Sequence, residues 1–263
     1  MITVSSWGIA GRVVGPGVVG RARLGASRGG AVDQGSLALA NRLVGNAPDA
    51  AAIETSGGTV VSFTRPTMVV LTGAAAEVVV VDGPPLGWGA PVVLPAGATL
   101  RIGRLTSGAR SYLGVRGGVV ERGVVEREGA VHLGADPGTP AATVAAARPE
   151  PSGVVRVWPG PRADWFADDA LSGLCATSWS VASTSRVGVR LSGEPLRRGR
   201  DGELPSEGMV EGAVQVPPDG QPIVMLADHP TTGGYPVLAV VDPRDLGEVA
   251  QAAPGTMLRF VRL

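Results

Sequence analysis

Short apolar runs separated by glycine and proline dominate the pattern of this chain. Many of the runs are rich in valine and are of strand length, which is typical of β-strands with at least one buried face. The pattern predicts strands at Met1–Ser6, Thr59–Phe63, Met68–Leu71, Val78–Val81, Thr99–Ile102, Arg110–Val115, Val154–Trp158 and Ile223–Ala227.

Helical signals are confined to three short segments. Asp33 can cap a helix that runs through Gln34–Val44, and Gly45 stands just past its end. A second short helix is expected around Asp164–Leu171. A third begins at Asp242-Pro243, where a capping carboxylate precedes proline at the first helical position.

Two strand-rich halves flank a stretch of linker composition. Residues 146–153 contain Arg-Pro-Glu-Pro-Ser-Gly and are predicted to be a linker. It would join an N-terminal half at residues 1–145 to a C-terminal half at residues 154–263. Gly97–Ile102 weakly resembles Gly255–Phe260 in sequence, which supports the interpretation that the two halves are related. The pattern therefore predicts a mainly β protein with two barrel-like halves and a few short helices.

Composition excludes several classes of partner. The 263 residues are enough for a sizeable core, and 23 basic residues balance 23 acidic ones, so no global charge favours nucleic acid or membrane. No signal peptide begins at Met1 and no long apolar span follows, which predicts a cytoplasmic protein. Cys175 is the single cysteine; a small buried apolar residue is favoured there over a nucleophile.

The residue inventory also limits the chemistry. All 23 basic residues are arginine, so this chain offers no Schiff-base lysine, no phosphate-loop lysine and no lysine for covalent biotin. His132 and His229 lack the spacing of a zinc site, and we expect no metal held by this chain. No Gly-x-Ser-x-Gly elbow is present. Any contact with ATP must use arginine, backbone amides or a partner protein.

Candidate chemistry concentrates in Ser206–Pro236, where two loops flank the predicted strand Ile223–Ala227. Pro217-Pro218-Asp219-Gly220 predicts a turn, so Asp219 either caps that turn or is catalytic. Asp228 stands at the end of the strand, before Thr-Thr-Gly-Gly. The candidate catalytic residues are Asp228, Asp219 and Glu207, and the candidate substrate-binding residues are Arg186, Arg110, Tyr112, Thr231, Thr232, Gly233 and Gly234.

The stretch Gly15–Gly30 is rich in glycine and contains several arginines, and it has two open interpretations. Arg21, Arg23 and Arg28 lie close together along the chain. They could form a loop that binds an anion, or the stretch could be a flexible surface loop.

The same segments resemble a known family. Gln-Val-Pro-Pro-Asp-Gly-Gln-Pro-Ile, at residues 215–223, followed by Ala-Asp-x-x-Thr-Thr-Gly-Gly-Tyr-Pro, at residues 227–236, is similar to the C subunit of bacterial ATP-dependent 5-oxoprolinase. That family is also called allophanate hydrolase subunit 2, or the KipA-like, biotin-dependent-carboxyltransferase-like family. Further matching segments, spread over nearly the whole chain, are Gly29–Asp33, Ala40–Asn46, Arg110–Leu113 and Ser185–Leu191.

The resemblance implies both a fold and an activity. Members have two cyclophilin-like β-barrel halves, and the implied enzyme converts 5-oxo-L-proline, ATP and water into L-glutamate, ADP and phosphate. Phosphorylation of the amide oxygen would make the stable lactam a better electrophile. The implied partners are a related B-type subunit and an A-type subunit that opens the ring, with ATP and Mg²⁺ shared with a partner.

Two other functions stay open at this point. The chain could be the carboxyltransferase module of a biotin-dependent enzyme that acts on urea or a similar amide. It could also be a regulatory binding protein that antagonises a kinase inhibitor, as one branch of the family does. Three segments depart from the usual family pattern: the first loop at Val14–Val18, the stretch Val119–Gly138, and His229-Pro230 in place of Arg-Gln.

Overall fold

The computed structural model describes residues 1–121, 128–143, 151–200, 202 and 204–263. The chain divides into two compact units: Met1–Gly17 with Asp33–Glu150, and Val18–Val32 with Pro151–Leu263. Both units are mainly β, as the sequence predicted.

The first unit is built on a curled half-barrel sheet of eight strands. Strand β7 is central and pairs with β3, β4 and β5. The sheet order is β2-β3-β7-β4-β1-β8, and β5 also pairs with β6. The strands are β1 (Ile2–Ser6), β2 (Arg12–Val14), β3 (Ala52–Thr55), β4 (Thr59–Phe63), β5 (Thr67–Val81), β6 (Val92–Leu94), β7 (Thr99–Val115) and β8 (Gly129–Val131).

One helix, α1 (Gln34–Leu43), packs on this sheet and begins as the sequence predicted. Asp33 accepts hydrogen bonds from the Ser36 amide at 3.0 Å and from the Ser36 hydroxyl at 2.6 Å. The carboxylate thus satisfies one of the donors that a helix leaves open at its N-terminus.

Strands β5 and β7 correct the predicted segmentation. Met68–Leu71 and Val78–Val81 were predicted as separate strands, but both lie in continuous β5, and β7 likewise joins two predicted strands. Irregular register between Gly73 and Val78 keeps the long pair together, and Gly73 has a φ of +75° there. A bulge absorbs the extra residues without ending the ladder, which is why glycine and alanine do not break this strand.

The second unit contains a closed barrel of seven strands in the order β10-β11-β14-β13-β16-β9-β17. Trp179, Val224 and Phe260 are among the side chains that fill its interior. Two very short strands, β12 (Glu207–Gly208) and β15 (Thr232–Gly233), pair outside the barrel. The barrel strands are β9 (Val154–Pro159), β10 (Ser178–Thr184), β11 (Gly188–Ser192), β13 (Ala213–Gln215), β14 (Ile223–Met225), β16 (Val237–Val241) and β17 (Met257–Arg262).

The two helices described in the second unit are α2 (Ala170–Ala176) and α3 (Leu246–Gln251). The helix predicted around Asp164–Leu171 is wrong in position, because a 3-10 turn at Ala163–Trp165 ends in extended backbone at Phe166. Phe166 forms a β-bridge with Arg198, which is incompatible with a helix there. No helix in the described residues is long and apolar enough to cross a membrane.

The third predicted helix begins where expected. The Asp242 side chain accepts from the Arg244 amide, with Pro243 at the first position of a 3-10 turn that leads into α3. The Arg244 guanidinium, hydrogen-bonded to Asp242, holds the pKa of that carboxyl far below its usual range.

The segment Val18–Val32 belongs to the second unit, although the predicted boundaries placed all of residues 1–145 in the first half. Val32 lies in the core of the barrel unit, and the Gly29 amide donates to the Ala227 carbonyl at 3.0 Å. The burial of a single valine in a core formed mainly by distant residues leaves no periodic pattern of apolar residues in the sequence. Of the predicted linker 146–153, residues 146–150 lie outside the described part, and the predicted boundaries stay a prediction.

Candidate functional site

The residues singled out in the sequence divide between the units. Arg110 and Tyr112 lie on β7 of the first unit. The other candidates lie in the second unit, on the barrel loops and the β12–β15 pair: Arg186, Glu207, Asp219, Asp228, Thr231, Thr232, Gly233 and Gly234.

Tyr112 is fully buried and joins three elements of the first unit. Its hydroxyl donates to Glu54 Oε2 on β3 at 2.7 Å and accepts from the Asp33 amide at 2.8 Å. Burial raises the pKa of Tyr112 well above its ordinary value, and the charge of nearby Glu54 raises it further. Arg110 is also buried, with 4% of its surface exposed. The contacts of Tyr112 indicate that it holds the start of α1 against the sheet.

Arg186 and Asp228 form a two-point ion pair. Arg186 Nε lies 2.7 Å from Asp228 Oδ2, and Arg186 Nη2 lies 3.0 Å from Asp228 Oδ1. The same Nη2 donates to the Gly30 carbonyl, and the Asp228 amide donates to the Arg186 carbonyl. The pair therefore fastens the Val18–Val32 segment and the loop after β14 to one corner of the barrel unit.

Glu207 is engaged by Arg162, which donates from Nε at 2.9 Å and from Nη2 to the other carboxylate oxygen. The backbone of Glu207 pairs with Gly233 across the β12–β15 ladder. The Met209 amide also donates to the Thr231 carbonyl. Glu207 is thereby placed beside the Thr-Thr-Gly-Gly segment, as part of the frame that holds it.

Asp219 caps its own turn, which was one of the two roles left open for it. Its Oδ1 accepts from the Gln221 amide at 3.0 Å, and the Gly220 amide closes the turn on the Pro217 carbonyl. Gly220 has a φ of +73° and lies so close to Leu196 that a Cβ would meet its carbonyl oxygen at 2.8 Å. The other oxygen of Asp219 lies 3.4 Å from Arg190 Nη1.

A groove of about 400 Å³ brings part of the candidate set together on the barrel. Gly233 and Gly234 line it, whereas Thr231, Thr232, Asp219, Asp228 and Glu207 are not among the described residues that line it. The full lining is Ser183, Ser185, Val187, Gly188, Arg190, Gln215, Ile223, Met225, Pro230, Gly233, Gly234 and Tyr235.

Gln215 is the residue of this groove that sequence reasoning missed. It is 3% exposed, and its Nε2 donates to the Tyr235 carbonyl at 2.8 Å. A Cβ at Gly233 would meet Gln215 Nε2 at 2.8 Å and Met209 Cε at 2.7 Å, so a larger residue would displace the ends of these two side chains. A signal was present: Ala213-Val214-Gln215 places Gln215 on the face opposite Val214, which marks a polar side chain on the outside of a buried strand.

No group of three or more His, Cys, Asp or Glu side chains in the described residues could hold a metal ion. His229 is 7% exposed, and its Nδ1 lies 2.7 Å from the Pro230 carbonyl.

Burial raises the pKa of the Cys175 thiol, which packs against the barrel core.

A model of the carboxyltransferase domain, subdomains A and B, matches this chain over residues 24–126 and 124–262. The chain belongs to the carboxyltransferase domain family. This match confirms the family resemblance inferred from the motifs. The matched residues include all those that line the groove, and also Glu207 and Asp228, the two loop carboxylates that form ion pairs with arginine.

Relatives of this carboxyltransferase-family chain include two bacterial proteins. It is 35% identical over 261 residues to the C subunit of 5-oxoprolinase from Escherichia coli (strain K12), and the match covers 90% of this chain and 83% of the relative. It is 32% identical to the protein of the same name from Haemophilus influenzae, with coverage of 93% and 85%. Urea amidolyase of Saccharomyces cerevisiae is 29% identical over 94% of this chain, which corresponds to 16% of that enzyme.

Solved structures share the fold. The crystal structure of TTHA0988 superposes with a TM-score of 0.87 at 34% identity, and the match covers 99% of this chain and 55% of the other. The Kluyveromyces lactis urea amidolyase superposes with a TM-score of 0.87 at 26% identity over the whole chain. This chain spans about half the length of the first structure and 18% of the second.

Proposed function

We propose that this chain is the C subunit of an ATP-dependent 5-oxoprolinase, which converts 5-oxo-L-proline into L-glutamate with hydrolysis of ATP. One observation carries the proposal: the chain is 35% identical to the C subunit of the E. coli 5-oxoprolinase over most of both chains. Shared membership of the carboxyltransferase domain family supports it.

The chemistry of a lactam defines what the site must supply. Phosphorylation of the amide oxygen gives an electrophile with a leaving group, and negative charge develops on oxygen during the transfer and the later attack by water. Oriented N–H donors stabilise such charge most when they are fixed before the reaction. In the barrel groove, the backbone amide of Gly234 is the donor that we assign to this task.

The three loop carboxylates act beside this groove in our proposal. Asp228 and Glu207 are each engaged by an arginine, and Asp219 caps its turn. We assign Asp228 a positioning role, because it begins the loop that carries Gly233 and Gly234 and is held by Arg186. The catalytic roles that the sequence suggested for Asp228, Asp219 and Glu207 stay predictions.

Partner proteins complete the proposed enzyme. The relatives are named as subunits, and we propose that an A-type subunit and a related B-type subunit work with this chain. In this proposal Mg²⁺ would be bound with ATP and shared with a partner subunit. Arginine and backbone amides would supply the contacts of this chain with ATP.

A second function has an observation of its own. The chain is 29% identical to the S. cerevisiae urea amidolyase over 94% of its length. In that case it would transfer a carboxyl group to urea or a similar amide, and the biotin would be carried by another protein, because this chain has no lysine.

Co-expression tests the proposed function. This chain, produced with its A- and B-type subunits, is expected to release glutamate from 5-oxo-L-proline only when ATP is present. Preparations lacking one subunit at a time are the controls, and each should lose the reaction. Release of glutamate without this chain, or ATP turnover that responds to urea and not to 5-oxo-L-proline, would refute the assignment.

A further inference from the structure

A row of paired residues crosses five neighbouring strands of the second barrel. Ser183 pairs with Arg190, Arg190 with Ile223, Ile223 with Gln215, and Gln215 with Val237. The first four of these residues line the groove. The row therefore forms a continuous strip in which the polar residues Arg190 and Gln215 lie on either side of Ile223.

The strip lies on the outer face of the barrel. Val189, Val224 and Val214, the neighbours of the row on their own strands, lie in the core. Since successive side chains of a strand point to opposite faces, Arg190, Ile223 and Gln215 point outward. Neighbouring strands are about 4.8 Å apart, so the backbones of Arg190 and Gln215 stand roughly 10 Å apart across Ile223.

Gln215 offers a fixed acceptor at one end of the strip. Its Nε2 donates to the Tyr235 carbonyl, which leaves the amide carbonyl as the group that can accept from a ligand. The side chain is held by close packing against Gly233. An amide oxygen that is held in place beside a groove favours a ligand with an N–H donor.

Arg190 offers an anion-binding group at the other end. Its contact with Asp219 is 3.4 Å long, and the two side chains are 48% and 51% exposed. An exposed ion pair of this kind contributes little free energy, so it exchanges easily for a better partner. The guanidinium carries five N–H donors in a planar fork that matches a carboxylate.

We propose that this groove binds a small ligand that carries both a carboxylate and a secondary amide. Arg190 binds the carboxylate after releasing Asp219, Gln215 accepts the amide N–H, and Ile223 with Met225 packs against the ring. The inference rests on the proposed function, since 5-oxo-L-proline has these two groups on one five-membered ring. Arg190 and Gln215 then determine specificity for the acid over a plain lactam.

The test compares ligands as well as variants in the assembled complex. Arg190→Gln is expected to raise the KM for 5-oxo-L-proline about ten- to hundredfold, as for the loss of a charge-assisted contact, with little change in kcat. With 2-pyrrolidinone, which lacks the carboxylate, the same variant should behave like the wild type. Arg190→Lys should restore part of the affinity. Arg197→Gln, at an exposed ion pair elsewhere in this unit, is the matched control.

Gln215→Leu is expected to weaken both ligands alike, because both carry the lactam N–H. Should that variant fold poorly, the Arg190 series decides by itself. The proposal is overturned when Arg190→Gln leaves the KM unchanged, or when it affects 5-oxo-L-proline and 2-pyrrolidinone equally.

A direct binding measurement separates this inference from the proposed function. Ligand-observed NMR of the full chain with 5-oxo-L-proline should show binding that Arg190→Gln weakens. An inactive complex would count against the proposed function, whereas this binding result would still support the groove. No binding to the wild-type chain, or binding that the variant leaves unaltered, overturns the groove proposal whatever the activity shows.

Discussion

The ion pair between Arg186 and Asp228 is buried on its arginine side, and this limits what each residue does. Arg186 is 9% exposed and Asp228 29%. The guanidinium meets both carboxylate oxygens and the Gly30 carbonyl, so much of its hydrogen-bonding capacity is used within the protein. A guanidinium held in this way supports the loop in front of the groove.

Asp228→Asn tests this role. The substitution keeps the size of the side chain but removes the charge, and it leaves the positive charge of Arg186 without its counter-ion. Breaking a buried ion pair costs about 3 to 5 kcal/mol, and we expect about 2 to 3 kcal/mol here because Asp228 is partly exposed. Urea unfolding of the chain measures the change.

Asp219→Asn is the control, because Asp219 is half-exposed and is expected to contribute at most about 0.5 kcal/mol. An Asp228→Asn protein that unfolds like the wild type would contradict the positioning role. If such a protein also lost turnover in the assembled complex, the catalytic role suggested by the sequence would gain support instead.

Local chemistry was predictable from the sequence, whereas long-range pairing was not. The turn at Asp219-Gly220 follows from proline, a capping carboxylate and a glycine with positive φ, all within four residues. Arg186 and Asp228 are 42 positions apart, and nothing in the spacing of single residues indicates that they meet. Gln215 was overlooked because a polar residue that directly follows an apolar run suggests the end of a strand.

At the scale of elements, the long β5–β7 pair is where α1 rests on the sheet of the first unit. Gly114 of β7 lies directly under the helix: a Cβ there would meet the Ala40 side chain at 3.0 Å, the Ala40 carbonyl at 3.1 Å and Val70 at 3.1 Å. Two of these neighbours belong to the helix and one to the paired strand. The two Ala40 atoms are fixed to the helix, so they can move away only if α1 shifts.

Gly114→Ala is therefore expected to destabilise the protein by about 1 to 3 kcal/mol, the range for overpacking a tight core. Gly15→Ala is the matched control in the same unit, since a Cβ at Gly15 meets nothing within 4 Å. The midpoint of thermal unfolding gives both values. Equal midpoints for the two variants would show that α1 moves away at little cost.

Element boundaries were less predictable than element type. The N-terminus of α1 was found because Asp33, a local cap, marks it. The strands β5 and β7 were each divided in two, because glycine and alanine in the middle of a strand read as a break when the pairing partner is unknown. In the structure, the ladder between the two strands decides their length.

At the scale of the whole molecule, the mainly β character and the family were predictable, but the course of the chain between the units was not. Repeated short valine-rich runs indicate strands whatever their partners. The assignment of Val18–Val32 to the second unit depends on tertiary contacts such as Val32 in the barrel core. The closure of the second sheet into a barrel depends on the parallel pairing of β17 with β9.

The two enzymatic functions differ in the cofactor that each one needs. This chain has no lysine, so intact-mass analysis should show no biotin adduct on it. A carboxyltransferase would take its carboxyl group from biotin on another protein, and avidin, which sequesters biotin, would abolish the reaction. A 5-oxoprolinase transfers phosphate from ATP and has no step that uses biotin. We therefore expect glutamate release by the assembled subunits to continue in excess avidin, measured beside a biotin-dependent carboxylase that avidin stops. Loss of activity in avidin, but not in avidin saturated beforehand with free biotin, would favour carboxyl transfer.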